Sequence, residues 1–162
     1  MLIFHIDVIS CLSISMKIME ASDNHFLEGR WTLESRENLD AFLAARGVGW
    51  LLRKFILGLT ADLEYLVDKE NHQLVKRTHS SYMGTREETL PFPGSYEPAK
   101  TLSGKPEVGC VSFEEDCVVQ EMSCKETGGV LARIERRVLD GKLVVTLISG
   151  DVTAREVYVK AA

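Results

Sequence analysis

The sequence predicts an all-β antiparallel domain with a pair of short helices near its start. Three observations carry that expectation. From residue 61 onward the chain reads as successive segments in which apolar and polar residues alternate. Two-residue turn signals break these segments, Asp140-Gly141 and Gly150-Asp151 being the clearest. Residues 39–57, by contrast, place apolar side chains at helical spacing.

Taken in order, the first element is a strand in which Trp31 and Leu33 point one way and Arg30, Thr32 and Glu34 the other. Ser35 is placed to cap a helix carrying Leu39, Phe42 and Leu43, and Gly47 to end it. A second helical segment, Gly49 to Leu57, is apolar on most sides, more so than a plain amphipathic helix, and Gly58 is placed to stop it. Leu63, Tyr65 and Val67 then alternate with Asp62, Glu64 and Leu66, and Lys69-Glu70-Asn71 makes a turn. Residues 72–80 alternate less clearly, and Tyr82 stands at the next turn. Residues 91–106 hold all four prolines and read as an irregular or edge region with one short strand. Val108 to Phe113 and Cys117 to Cys124 form two strands around the acidic turn Glu114-Glu115-Asp116.

The last three strands are the most informative. Val130, Ala132, Ile134 and Val138 share a face with Arg136, the one charge on an otherwise apolar, inward-reading surface. An unpaired buried charge is very costly, so this arginine needs a partner. If Leu139 pairs with Lys142 across Asp140-Gly141, Arg136 lies opposite Val145; if Ser149 pairs with Val152, Val145 lies opposite Glu156. The same registers put Val138, Leu143 and Tyr158 in one row. The backbones of Arg136 and Glu156 are then about 10 Å apart, and their side chains are expected to meet over Val145 as an ion pair.

Several short motifs resemble the fatty-acid-binding, or intracellular lipid-binding, protein family of the calycin superfamily. They are Gly29, Trp31, Leu33, Ser35, Glu37-Asn38, Asp40, Gly47-Val48-Gly49 and Arg53-Lys54, followed by Thr78, Ser80-Ser81-Tyr82 with Thr85, and Asp140-Gly141-Lys142-Leu143 with Thr146-Leu147. Each alone is weak; their order and spacing, over residues 26–160, are specific, and residues 91–106 match least well. The resemblance implies an up-and-down antiparallel barrel of about ten strands, lidded by the helix-turn-helix, around one lipid. It makes Tyr82 a portal residue gating ligand entry against the second helix near Leu52. It also implies a head-group site: an inward arginine at Arg136 and an Arg-x-Tyr on the last strand ending at Tyr158. The chain departs from that pattern, because Glu156 stands where the family has its second arginine. Arg155 lies one residue earlier and alternates outward, unless a bulge before Tyr158 swings it in.

Composition bounds the function classes. The chain has 162 residues, 45% hydrophobic and 27% charged, which suits one domain with its own core; we place the lipid-binding domain at 24–162 after an extension at 1–23. A net charge of −5 with no basic block disfavours nucleic acid. The four cysteines, Cys11, Cys110, Cys117 and Cys124, form no CxxC pair, and three in the domain suggest free thiols in a reducing compartment. The four histidines are scattered, so neither a metal nor a cofactor is expected. Residues 1–23 have an apolar run, but no Lys or Arg precedes it and His5 and Asp7 interrupt it. A cytoplasmic monomer is expected, with secretion the alternative.

The expected function is a non-enzymatic carrier of one long-chain fatty acid, oriented by Arg136, Tyr158 and Glu156. A neutral lipid such as a retinoid is the alternative, since Glu156 beside Arg136 repels a carboxylate. Transient membrane contact through the second helix, with Arg53 and Lys54 at head groups, is open beside simple lid packing. The competing class is a barrel enzyme using Cys110, Cys117 or Cys124 as nucleophile, which requires a base or cation that the strands do not supply in sequence.

Overall fold

The computed structural model describes residues 25–162. Ten antiparallel strands form one sheet: β1 (Gly29–Glu37), β2 (Ala61–Asp68), β3 (Gln73–Ser80), β4 (Gly84–Pro91), β5 (Gly94–Tyr96), β6 (Glu107–Glu114), β7 (Cys117–Cys124), β8 (Val130–Leu139), β9 (Lys142–Ser149) and β10 (Val152–Lys160). Helices α1 (Leu39–Ala45) and α2 (Trp50–Gly58) lie between β1 and β2. The spatial order is β4-β3-β2-β1-β10-β9-β8-β7-β6-β5, so each strand except at the β4–β5 step pairs with its sequence neighbours, and β1 pairs with β10. The sheet is a barrel closed except between β4 and β5. Residues 1–23 lie outside the described residues.

The predicted registers of the last three strands are observed. Arg136 faces Val145, Glu156 faces Val145, and Tyr158, Leu143 and Val138 form a row. Asp140 and Gly141 both have positive φ, at 51° and 75°, which matches the twist of the hairpin they close. Residues 91–106 contain the one short strand expected, β5.

Two local expectations are corrected. Ser35 does not cap a helix: it lies exposed within β1, which runs on to Glu37. The residue before α1 is Asn38, at φ 58°, a left-handed conformation that asparagine tolerates better than most; its amide donates to Thr153 O at 2.9 Å instead of capping. Gly58 is the last residue of α2 rather than its stop, and Leu59 follows in extended conformation. Gly47 does end α1: at φ 79° it lets Val48 N–H reach Leu43 O at 3.0 Å and Gly47 N–H reach Ala44 O at 2.9 Å.

The second feature of β1 is a register shift between Leu33 and Ser35 in its pairing with β10. An extra residue reverses the alternation beyond it. Trp31 is buried before the shift and Arg36 is turned inward after it. The core between the two ends is built from inward residues of every long strand, among them Trp31, Tyr65, Leu74, Leu90, Val111, Val118, Leu143 and Tyr158, and is closed at the lid by Leu39, Phe42 and Leu43 of α1. No residue of α2 is buried.

Candidate functional site: a lidded cavity with a buried arginine

The barrel encloses a cavity of about 530 Å³ beneath the helices. Its apolar wall includes Leu39, Phe42, Ile56, Met122, Ile134 and Leu147. Its polar wall is organised in pairs. Glu156 is bonded to Arg36, Glu107 to Arg46 and Glu88 to Lys76, at 2.7, 2.8 and 3.4 Å. Each carboxylate lining the cavity is thus matched by a cation.

Arg136 lines the same cavity and is matched by none. It is 4% exposed, and β8 holds it inward as the alternation requires. Its Nε donates to the hydroxyl of Tyr65 on β2 at 3.1 Å, and its Nη2 to the side-chain carbonyl of Gln120 on β7 at 2.8 Å. Its Nη1 has no hydrogen-bond partner among the described residues. Both partners are neutral, so the guanidinium charge is buried without a counter-ion, an arrangement that costs several kcal/mol unless an anion arrives. Gln120 also bonds the hydroxyl of Tyr96 on β5. The Tyr96 ring lies against Gly109, where any Cβ would overlap it, so only glycine admits the ring there. Burial pushes the Tyr96 phenol up from its ordinary value.

The expected ion pair between Arg136 and Glu156 is not formed. Glu156 accepts from Arg36 Nε at 2.7 Å and from the Tyr158 hydroxyl at 2.9 Å. Burial, then the neighbouring Glu156 charge, push the Tyr158 phenol far above its ordinary range, so it stays a donor. The strand registers were right, but Arg36 faces Glu156 directly across β1–β10 and reaches it first. Reading Ser35 as a helix cap placed Arg36 outside the strand and hid it from sequence reasoning. Arg155 is exposed and its strand pairs without irregularity against β9, so the bulge that would restore an inward Arg155 is absent there. Gln120 was detectable as the one polar residue on the inward row Val118, Gln120, Met122.

At the mouth, Tyr82 is 78% exposed and its ring meets Phe55 of α2 edge-on, with centroids 5.9 Å apart. Leu52, also expected to meet it, is half exposed on the same helix. Cys117 is buried and its thiol is pushed up by that burial, whereas Cys110 is exposed and Cys124 half-buried. No group of metal-ligating side chains occurs among the described residues, and none of their helices is long and apolar enough to cross a membrane.

No family model matches the chain. Curated relatives and solved structures do. Human fatty acid-binding protein 5 is 29% identical over 134 residues, covering 83% of this chain and 94% of the relative. The chain is similar to fatty-acid-binding proteins over most of its length. Rat cellular retinoic acid-binding protein 2 is 25% identical, covering 82% of this chain and 96% of the relative. Among solved structures, Caenorhabditis elegans lipid binding protein 8 superposes with a TM-score of 0.74 at 22% identity, over 87% of this chain and 99% of that one. A Schistosoma mansoni fatty acid binding protein in complex with arachidonic acid gives a TM-score of 0.72 at 23% identity, over 85% and 97%. These structural likenesses show the fold.

Proposed function

We propose that the protein carries one long-chain fatty acid inside the barrel, with the carboxylate taken by Arg136. The observation that supports this most is the buried Arg136 guanidinium, which lines the cavity with its Nη1 unpaired and no carboxylate beside it. A ligand carboxylate would supply both the missing acceptor and the missing charge. The apolar wall would take the chain, as in other sites where a few polar groups orient a mostly apolar ligand. Relatives named for fatty-acid and retinoic-acid binding favour the same reading.

The neutral-lipid alternative drew on Glu156 cancelling Arg136. With Glu156 bonded to Arg36, that support goes and the acid is favoured. An enzymatic role through Cys117 is disfavoured by its buried, protonated thiol. Exposed Trp50, Leu51 and Leu52 on α2, beside Arg53 and Lys54, favour brief membrane contact during transfer. A monomer in the cytoplasm is the setting this reading assumes.

The test is titration of the wild type and Arg136→Gln with oleate and with oleyl alcohol. Oleate binding should weaken by about tenfold or more in the variant, and alcohol binding should change little. Equal loss for both ligands, or none for oleate, overturns the assignment of Arg136.

A further inference from the structure

We propose that Arg36 is the tether that sets how readily the lid opens, and that Glu156 and Tyr158 hold it in place. The inference concerns the lid itself; only its ligand arm rests on the carrier reading above.

Helix α2 is lightly held: its core packing is limited to Ile56 and Leu57, both only partly buried. It buries no residue. Outside its own turns its polar contacts are few: Arg53 pairs with Asp40 of α1 at 2.9 Å and bonds Val48 O at 3.0 Å, both near the first half of the helix. At the other end, the carbonyl of Leu59, the residue at which α2 hands over to β2, accepts from Arg36 Nη1 at 2.6 Å. This bond is charge-assisted and half-buried, so solvent screens it less than it would a surface pair.

Arg36 is itself fixed. Its Nε donates to Glu156 at 2.7 Å, and Tyr158 donates to the second oxygen of Glu156 at 2.9 Å. The guanidinium fork is planar, so anchoring Nε on Glu156 aims Nη1. A chain of three short bonds therefore runs from the interior of β10 through β1 to the exit of the lid. Arg36, Leu59 and Glu156 all line the cavity, so a ligand passes beside this chain. The carboxylate at 156 acquires a purpose: an arginine there would repel Arg36 and leave it unaimed. The bulge in β1 is what turns Arg36 inward to serve.

Hydrogen exchange of the full chain without ligand tests the tether directly. Arg36→Met should speed exchange of the amides in residues 50–59 while those of β8 and β9 keep their protection; Glu156→Gln should do the same more weakly. Should Arg36→Met fail to fold, Arg36→Lys, which keeps the charge but not the two-pronged geometry, takes its place. Uptake and release of a fluorescent long-chain fatty acid form the second arm. In the double variant Arg36→Met with Glu156→Gln, which leaves no unpaired carboxylate in the cavity, both rates should rise by about tenfold while the equilibrium affinity stays within about twofold, because a tether acts on access. Unchanged exchange in residues 50–59 overturns the tether. So does weaker affinity with an unchanged uptake rate, which would assign Arg36 to the head group. If the wild type takes up no fatty acid, the carrier reading fails and exchange alone decides the tether.

Discussion

Arg46, where α1 ends, holds both carboxylate oxygens of Glu107, the first residue of β6, from one nitrogen at 2.9 and 2.8 Å. The two side chains are nearly free of solvent, and Ser103 donates to the same carboxylate at 2.8 Å. The pair fastens the lid's first helix to the opposite wall of the mouth. Breaking one member strands the other. Arg46→Met should therefore cost about 3–5 kcal/mol of stability in urea denaturation, and the double change Arg46→Met with Glu107→Leu should recover much of it, since the burial of charge is then avoided. A single variant as stable as wild type would show that the pair opens to water.

His25 gives the fold a dependence on mild acid. Its ring packs against Phe26, Phe92 and Phe113, and its Nδ1 accepts from Leu27 N–H at 3.3 Å. Burial lowers its pKa from 6.5 to about 4. The unfolded chain therefore binds a proton between those values that the folded chain refuses, so stability falls as pH drops through that window and is full above it. His25→Phe should flatten the fall between pH 6.5 and 4.5 in denaturation midpoints. An equal slope in wild type and variant would remove His25 from the account.

Tyr82 and Phe55 meet across the mouth, and both are exposed, so their contact contributes little to the fold. Tyr82→Ala should raise the rate of ligand exchange more than it changes affinity. Phe55→Ala should do the same, and the pair should be non-additive by about 0.5 kcal/mol in a double-mutant cycle on the release rate, the low end for an edge-on aromatic pair. Additive effects would mean that the rings act separately.

Much of this was legible in the chain itself. The registers of β8, β9 and β10 followed from Asp140-Gly141 and Gly150-Asp151 because turn chemistry pins a hairpin and every later pairing inherits it. The inward arginine followed from alternation. What failed was the partner of Glu156. One extra residue near Glu34 flips every side chain beyond it, and nothing in Leu33-Glu34-Ser35 announces that residue. The same bulge explains why Ser35 looked like a cap yet sits in a strand. The Arg46–Glu107 pair was invisible for a different reason: 61 residues separate its members, and no local period links them.

The strand order ends at β4 and β5, which do not join, so the barrel keeps two backbone edges. Unsatisfied edges invite strands from other molecules. Here β5 is only three residues long, prolines at 91 and 93 interrupt the chain between the two edges, and β4 carries Arg86, Glu87 and Glu88 in succession. Each device discourages a foreign strand from docking. The gap between β4 and β5 is thus guarded against the polymerisation it would otherwise permit, and a variant of β4 stripped of these charges should aggregate before it loses its fold.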